Sequence, residues 1–176
     1  MGFDVANRKY EVVPFDPRWA EDFEIEAMTL RRIFGDLVLA IEHIGSTSVQ
    51  GMAAKPIIDT LILVSDIAPV DDFNQKMLQA GYQAMGEYVA AGARFFLKER
   101  DGVRLFNVHV FPEDHPHVKE MLDVRNYLRT HPEDAKHYGE FKTQLHRKYA
   151  NDYQRYREEK NVYMKEMMKR LSGHRE

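Results

Sequence analysis

The chain has no cysteine in its 176 residues. That excludes a disulfide framework and any thiolate-held metal or iron–sulfur site, and it is compatible with a reducing cytoplasm. No apolar run approaches the roughly 18 residues that span a bilayer. The first residues, MGFDVA, carry neither a basic segment nor an apolar one of the kind that starts a secretory leader. Ala6 also breaks the pattern for N-terminal acylation. A soluble, cytoplasmic chain with no membrane partner is therefore expected. Strong charge of one sign is missing too. A net charge of −3 argues against bulk electrostatic binding of nucleic acid. Repeats and low-complexity stretches are absent.

What is present is ordinary for a globular domain: 44 % hydrophobic and 30 % charged residues. The charge is uneven. Residues 1–117 hold 11 Lys and Arg against 18 Asp and Glu, a balance of −7. Residues 118–176 hold 14 against 10, a balance of +4. Either two solvated surfaces or a basic helical wall facing an anionic ligand explains this split.

Residues 1–9 are polar and expected to fray. Residues 10–15 (YEVVPF) read as a short edge strand stopped by Pro14. Asp16-Pro17 starts a helix in which Trp19, Phe23, Met28, Leu30 and Phe34 recur near a helical period, and Gly35 ends it. Strands are expected over 37–44 and 57–64, the second almost wholly apolar and hence central. A helix over 69–80 ends at Gly81. Three β-type runs follow, over 82–88, 93–100 and 103–111, the last two joined by an Asp101-Gly102 hairpin turn. From residue 118 the chain reads as helical, with an apolar stripe through Phe141, Leu145, Tyr149, Tyr153, Tyr156, Tyr163, Met167 and Leu171. Asn151-Asp152 offers a cap that divides it. In this stripe the tyrosines read as packing in preference to a platform for stacking bases.

The densest chemical signal is EHIGSTSVQG followed by KPIID, residues 42–51 and 55–59. A turn of small and hydroxylated residues after a strand, Gly45, Ser46, Thr47 and Ser48, exposes backbone N–H groups that suit an anion. It is also what an ordinary capped turn looks like. It is not a phosphate loop of the Walker type, because Met52 follows Gly51 where lysine is required. Asp59 is a lone carboxylate in an apolar strand, a position tolerable only if it is paired, hydrogen-bonded or on a metal. His43 is either a satisfied core histidine that orients the turn or a ligand. Lys55 could reach a phosphate or stay solvated, and Arg94 could pair with a phosphate or with Asp59. Arg125 and Arg129 share a helix face and, with Lys160, could form the basic wall. His115-Pro116-His117 has too few partners nearby to be read as a metal site.

Gly45-Ser46, a gap of twelve residues, then Asp59 in a hydrophobic strand resembles the signature of nucleotidyltransferase-fold enzymes. The longer string HIGSTSVQGMAAKPIIDTLILV, with ARFFLK, LFNVHVF, VRNYLRTHPEDAKHYGEFK and YREEKNVYM, resembles the GrpB family of that superfamily along nearly the whole chain. The resemblance implies an α/β (α+β) fold: a nucleotidyltransferase-like mixed β-sheet flanked by helices (1–117), with a C-terminal helical subdomain (118–176) across its open side. It implies a nucleoside triphosphate as substrate, held at the Gly45-Ser46 turn with Thr47 and Ser48; beside it, Lys55, Arg94 and Arg125 are candidates to offset the phosphate charge. Magnesium or manganese would sit on Asp59 and His109, with His109 as second ligand or base, and the nucleotidyl group would pass to a small-molecule acceptor. One departure matters. Period 2 puts residue 61 on Asp59's face, and it is Leu61 where a second carboxylate belongs. Either Glu42, His43, Asn107 or His109 completes a changed site, or the protein is a non-catalytic binder of a nucleotide or phosphometabolite.

Overall fold

The computed structural model describes residues 10–173, with side chains to Lys169; residues 1–9 and the Leu171 end of the apolar stripe lie outside that description. Helix α1 (Arg18–Phe34) leads through a 3₁₀ turn to β1 (Val38–Ile44). A second 3₁₀ turn (Ser46–Ser48) precedes β2 (Ile58–Val64). The stretch expected as one helix over 69–80 is a 3₁₀ turn (Ala68–Phe73) running into a short α2 (Asn74–Gln79). Strands β3 (Tyr82–Ala84), β4 (Arg94–Arg100) and β5 (Val103–Pro112) follow. The chain then enters α3 (Pro116–Thr130), α4 (Pro132–Lys148) and α5 (Tyr153–Gly173).

The five strands form one mixed sheet in the order β1-β2-β5-β4-β3. β2 and β5 run parallel, and the other neighbouring pairs are antiparallel. Asp101 and Gly102 both take positive φ, 52° and 75°, the geometry of the expected hairpin turn. The edge strand expected over 10–15 is reduced to one bridge, Val13 with Ala54, because Pro14 lacks the N–H a ladder needs. The β-run expected over 82–88 ends as a strand at Ala84; Met85 N still donates to Phe95 O at 2.8 Å and Gly86 O accepts from Phe95 N at 2.9 Å, and residues 87–93 then leave the sheet.

Because strand side chains alternate, β2 serves two cores. Ile62 and Val64 pack with Leu30 and Phe34 of α1 and Met77 of α2, while Ile58 meets Trp19 and Phe23. In that layer Glu26 is buried and accepts from Tyr82 Oη at 2.6 Å and Lys98 Nζ at 2.8 Å. On the other face Leu61 packs with Ile44, Phe111 and Val118 of α3. The last helices share a core with residues beyond the Gly45 turn: Val49 and Met52 meet Leu128, Ala135, Tyr138 and Met167. They are thereby held against one end of the sheet. A break at His131, ahead of Pro132, divides the helical run before the one at Asp152. There Asp152 Oδ1 accepts from Arg155 N at 3.0 Å, the cap its sequence position suggests. The His115 ring performs the same service for α3, accepting from His117 N at 3.2 Å. Among the described residues no helix is long and apolar enough to cross a membrane.

Candidate active site

At the C-terminal end of β1 the backbone turns at Gly45 with φ +72°, a left-handed conformation that favours glycine. A Cβ there would lie 2.7 Å from Asp59 Oδ2, so the turn and the carboxylate touch directly. The turn is braced from within. Ser48 Oγ donates to Gly45 O at 2.6 Å. Thr47 is buried, lies 3.0 Å from His43 Nε2 and donates to Ile57 O at 3.3 Å. His43 stacks on Phe23 and faces the α1 layer, so it orients the turn from behind. Of the two roles open to it, this is the structural one.

Burial, with the positive charge of Arg129 and Arg125 nearby, holds the His43 imidazole at a pKa of about 4 despite the opposing charge of Asp59. The sign follows. In the unfolded chain the ring takes a proton near pH 6.5, while in the fold it stays neutral down to about 4. Stability from this residue is therefore complete above the unfolded value and lost as pH falls from about 6.5 towards 4, at about 1.4 kcal/mol per unit. Urea denaturation from pH 7 to pH 4 is expected to show that loss, about 3 kcal/mol at most, and His43→Gln is expected to flatten it.

Asp59 sits across the sheet from Asn107, and Leu61 from His109. Asn107 Nδ2 donates to Asp59 Oδ1 at 2.8 Å, and His109 Nε2 lies 3.6 Å from the same oxygen. Burial pushes the carboxyl up, but His109, Asn107 and Lys55 outweigh it and hold the group below its ordinary value. Asn107 Oδ1 and His109 Nδ1 are buried without a hydrogen-bond partner.

These groups open into a cleft of about 940 Å³ between the sheet and α3–α5. Of the candidate site residues singled out in the sequence, Gly45, Ser46, Thr47, Lys55, Asp59, Asn107, His109, Arg125 and Lys160 line it. Ser48 does not, since its hydroxyl is turned back on Gly45. Arg94 does not either. It pairs with Val110 across the ladder, on the face opposite Asp59, and its guanidinium grips Asp71 with two 2.7 Å bonds and Glu87 at 3.4 Å. Arg125 is in the cleft wall but already bound, donating to Glu42 Oε2 at 2.6 Å and His43 O at 3.1 Å. Arg129 is spent on Ser48 O at 3.0 Å. The basic wall is thus partly a brace between α3 and the turn. Lys55 Nζ donates to Tyr153 Oη at 2.6 Å.

The donor set fits at most one hard cation. Among the described residues no group of three or more His, Asp or Glu side chains converges. Leu61 is fully buried, and Glu42 is bound to Arg125. A magnesium ion keeps several waters and takes one or two carboxylates plus ligand phosphates, so Asp59 with phosphate oxygens would suffice for one ion and not for two.

Residues 9–170 match the GrpB protein family. The chain belongs to the GrpB family. It is 40 % identical over 158 residues to the UPF0157 protein YqkA of Bacillus subtilis, covering 90 % of this chain and 46 % of that one, so it spans about half of that relative's length. The crystal structure of GrpB from Enterococcus faecalis superposes with a TM-score of 0.88 at 36 % identity, over 94 % of this chain and all of the other. The Cid1 poly(U) polymerase structure overlaps more loosely, with a TM-score of 0.45 at 12 % identity over 67 % of this chain and 37 % of that one.

One residue of this GrpB-family site escaped the sequence reading. Lys142 of α4 is 2 % exposed, lines the cleft, and its Nζ has no hydrogen-bond partner. Its signal was there to find: a lysine four residues after Tyr138 and three before Leu145, inside an apolar stripe.

Proposed function

We propose that this GrpB-family protein binds a phosphorylated small molecule, of the nucleoside triphosphate class, in the cleft between the sheet and α3–α5. The observation that carries this reading is the meeting of the Gly45 turn and Asp59 with three lysines, Lys55, Lys142 and Lys160, around one cavity. Backbone N–H groups at a tight turn and lysine ammonium groups are receptors for phosphate oxygens. Among the described residues Asp59 is the carboxylate in contact with the turn, and it would hold a single magnesium or manganese ion. That ion would supply charge neutralisation of the phosphate chain. The residues supply the rest: Gly45 and Ser46 seat the anion, Asn107 orients the carboxylate, and α3–α5 exclude water.

Binding without transfer is the reading the geometry favours, because Leu61 lies in the core and Glu42 is committed to Arg125. A specific observation supports the second reading, transfer of a nucleotidyl group to a small-molecule hydroxyl. Asn107 and His109 line the cleft beside Asp59, positions from which an acceptor could be held.

The test is a thermal-shift panel of ATP, GTP, CTP and UTP, each with and without Mg²⁺ or Mn²⁺, on the wild type and Asp59→Ala. A ligand at a hundredfold excess over Kd adds about 2.7 kcal/mol, which raises Tm by about 5–10 °C in a chain of this size. A metal-dependent rise with a nucleotide, absent in Asp59→Ala, is expected. An equal rise in the variant would sink the assignment of Asp59. Pyrophosphate release in the presence of candidate acceptors separates the two readings.

A further inference from the structure

A lysine amine buried without a partner is costly, and proteins hold one where something completes it. Lys142 lines the cleft, and its Nζ, covered from solvent, lies 4.6 Å from the centre of the Tyr138 ring. The groups facing it are few. Lys55 comes from the segment before β2, Asp59 from β2 and Lys160 from α5. Tyr153 and Tyr156 of α5 line the same wall, and the Tyr156 hydroxyl is likewise buried without a partner. Further along the cleft stand His109 of β5, Arg125 and Glu120 of α3, Arg157 of α5, and Glu99, Asp101 and Arg104 of the β4–β5 hairpin.

We infer that Lys142 takes up a proton as a polyanion enters the cleft, becoming the third charged member of a cluster with Lys55 and Lys160. The inference rests on the reading of the cleft as a phosphate-binding site and adds its selectivity. With Lys55 and Lys160 charged, Asp59 leaves a local balance of +1. Protonation of Lys142 makes it +2. A monoanion is matched without Lys142, whereas a ligand bearing two or more charges, such as a di- or triphosphate, is needed to draw the third proton in. Without the ligand, burial and the repulsion of Lys160 and Lys55 keep Lys142 well below the ordinary lysine range, and Asp59 offsets only part of that. Lys160 is shifted in the same direction, by burial first and Lys55 second. Removing the ligand therefore favours release of that proton, so binding and proton uptake are coupled.

The experiment is isothermal titration calorimetry of tripolyphosphate into the whole chain at pH 8. It is run in phosphate-free buffers of different ionisation enthalpy, on wild type, Lys142→Met and Lys142→Arg. The wild type is expected to take up about one proton more than either variant. Lys142→Met is expected to bind at least about tenfold more weakly, and Lys142→Arg, charged throughout, to retain binding. Lys142→Met should fold with an equal or higher Tm, since a methionine of similar volume replaces an unpaired buried amine. Equal proton uptake in wild type and Lys142→Met overturns the inference and leaves the cleft reading standing. A marked loss of Tm in Lys142→Met also overturns it, because the amine would then have a structural partner. No binding of tripolyphosphate by the wild type, either with or without Mg²⁺, overturns both.

Discussion

Leu61→Asp is expected to unfold the sheet and not to restore a second carboxylate beside Asp59. The side chain at 61 is on the right face for such a role, opposite His109 in the ladder. Yet it is fully buried, packed with Ile44, Phe111 and Val118 under α3. Removing the leucine forfeits about 2–3 kcal/mol of apolar burial. The new carboxylate would lose its water and sit two residues from the charge of Asp59 on the same face, which adds a further cost of several kcal/mol. A domain holds only about 5–15 kcal/mol in total, so a loss of about 4 kcal/mol or more leaves little margin. Urea denaturation measures it, with Leu61→Met as the control expected to lose less than about 1.5 kcal/mol. A variant that melts at the wild-type midpoint and gains nucleotide turnover would show instead that the pocket tolerates the acid and lacked only that group.

Gly45→Ala is expected to abolish ligand binding and to cost stability as well. The left-handed backbone alone costs a non-glycine residue about 1–2 kcal/mol. The added methyl also meets Asp59 Oδ2 at 2.7 Å, closer than real contacts allow. One of the two must move, and each movement spoils the site: either the turn's N–H groups lose their aim or Asp59 leaves Asn107. The double-mutant cycle with Asp59→Ala divides these causes. Truncating the carboxylate relieves the Oδ2 contact but leaves the 3.2 Å approach to the Asp59 Cβ and the φ penalty, so the Gly45→Ala cost should shrink by about 1 kcal/mol in that background. Additive costs would mean that the carboxylate collision relaxes freely and contributes nothing to the loss.

The turn and the carboxylate were legible in the sequence because both are local signals. A small-residue turn after a strand and an acid in an apolar run need no partner to be noticed. The placement of His43 was half legible: its residue type left core and ligand open, and the stack on Phe23 decided between them. Arg94 was misplaced for a reason of parity. It begins a strand beside the site, but the β4–β5 register sends odd-numbered Phe95 to the face of His109 and turns Arg94 to Asp71 behind the sheet. Arg125 and Arg129 share a helix face as their spacing predicts, but what they reach, Glu42 and Ser48, belongs to another element.

By itself, then, the sequence determined most of the succession of strands and helices, the glycine turn at 45, the hairpin at 101–102, the cap at Asp152 and the family. Each depends on backbone sterics, side-chain period or residue type within a few positions of the chain. The tertiary structure alone decided that Leu61 is core, that Glu42 is bound and that Lys142 faces Asp59's cleft. Those outcomes depend on which surfaces meet when α3–α5 close over one end of the sheet. A period in the sequence says which side chains share a face, whereas only packing says what lies opposite, and the opposite surface sets whether a leucine fills a core or a lysine waits for an anion.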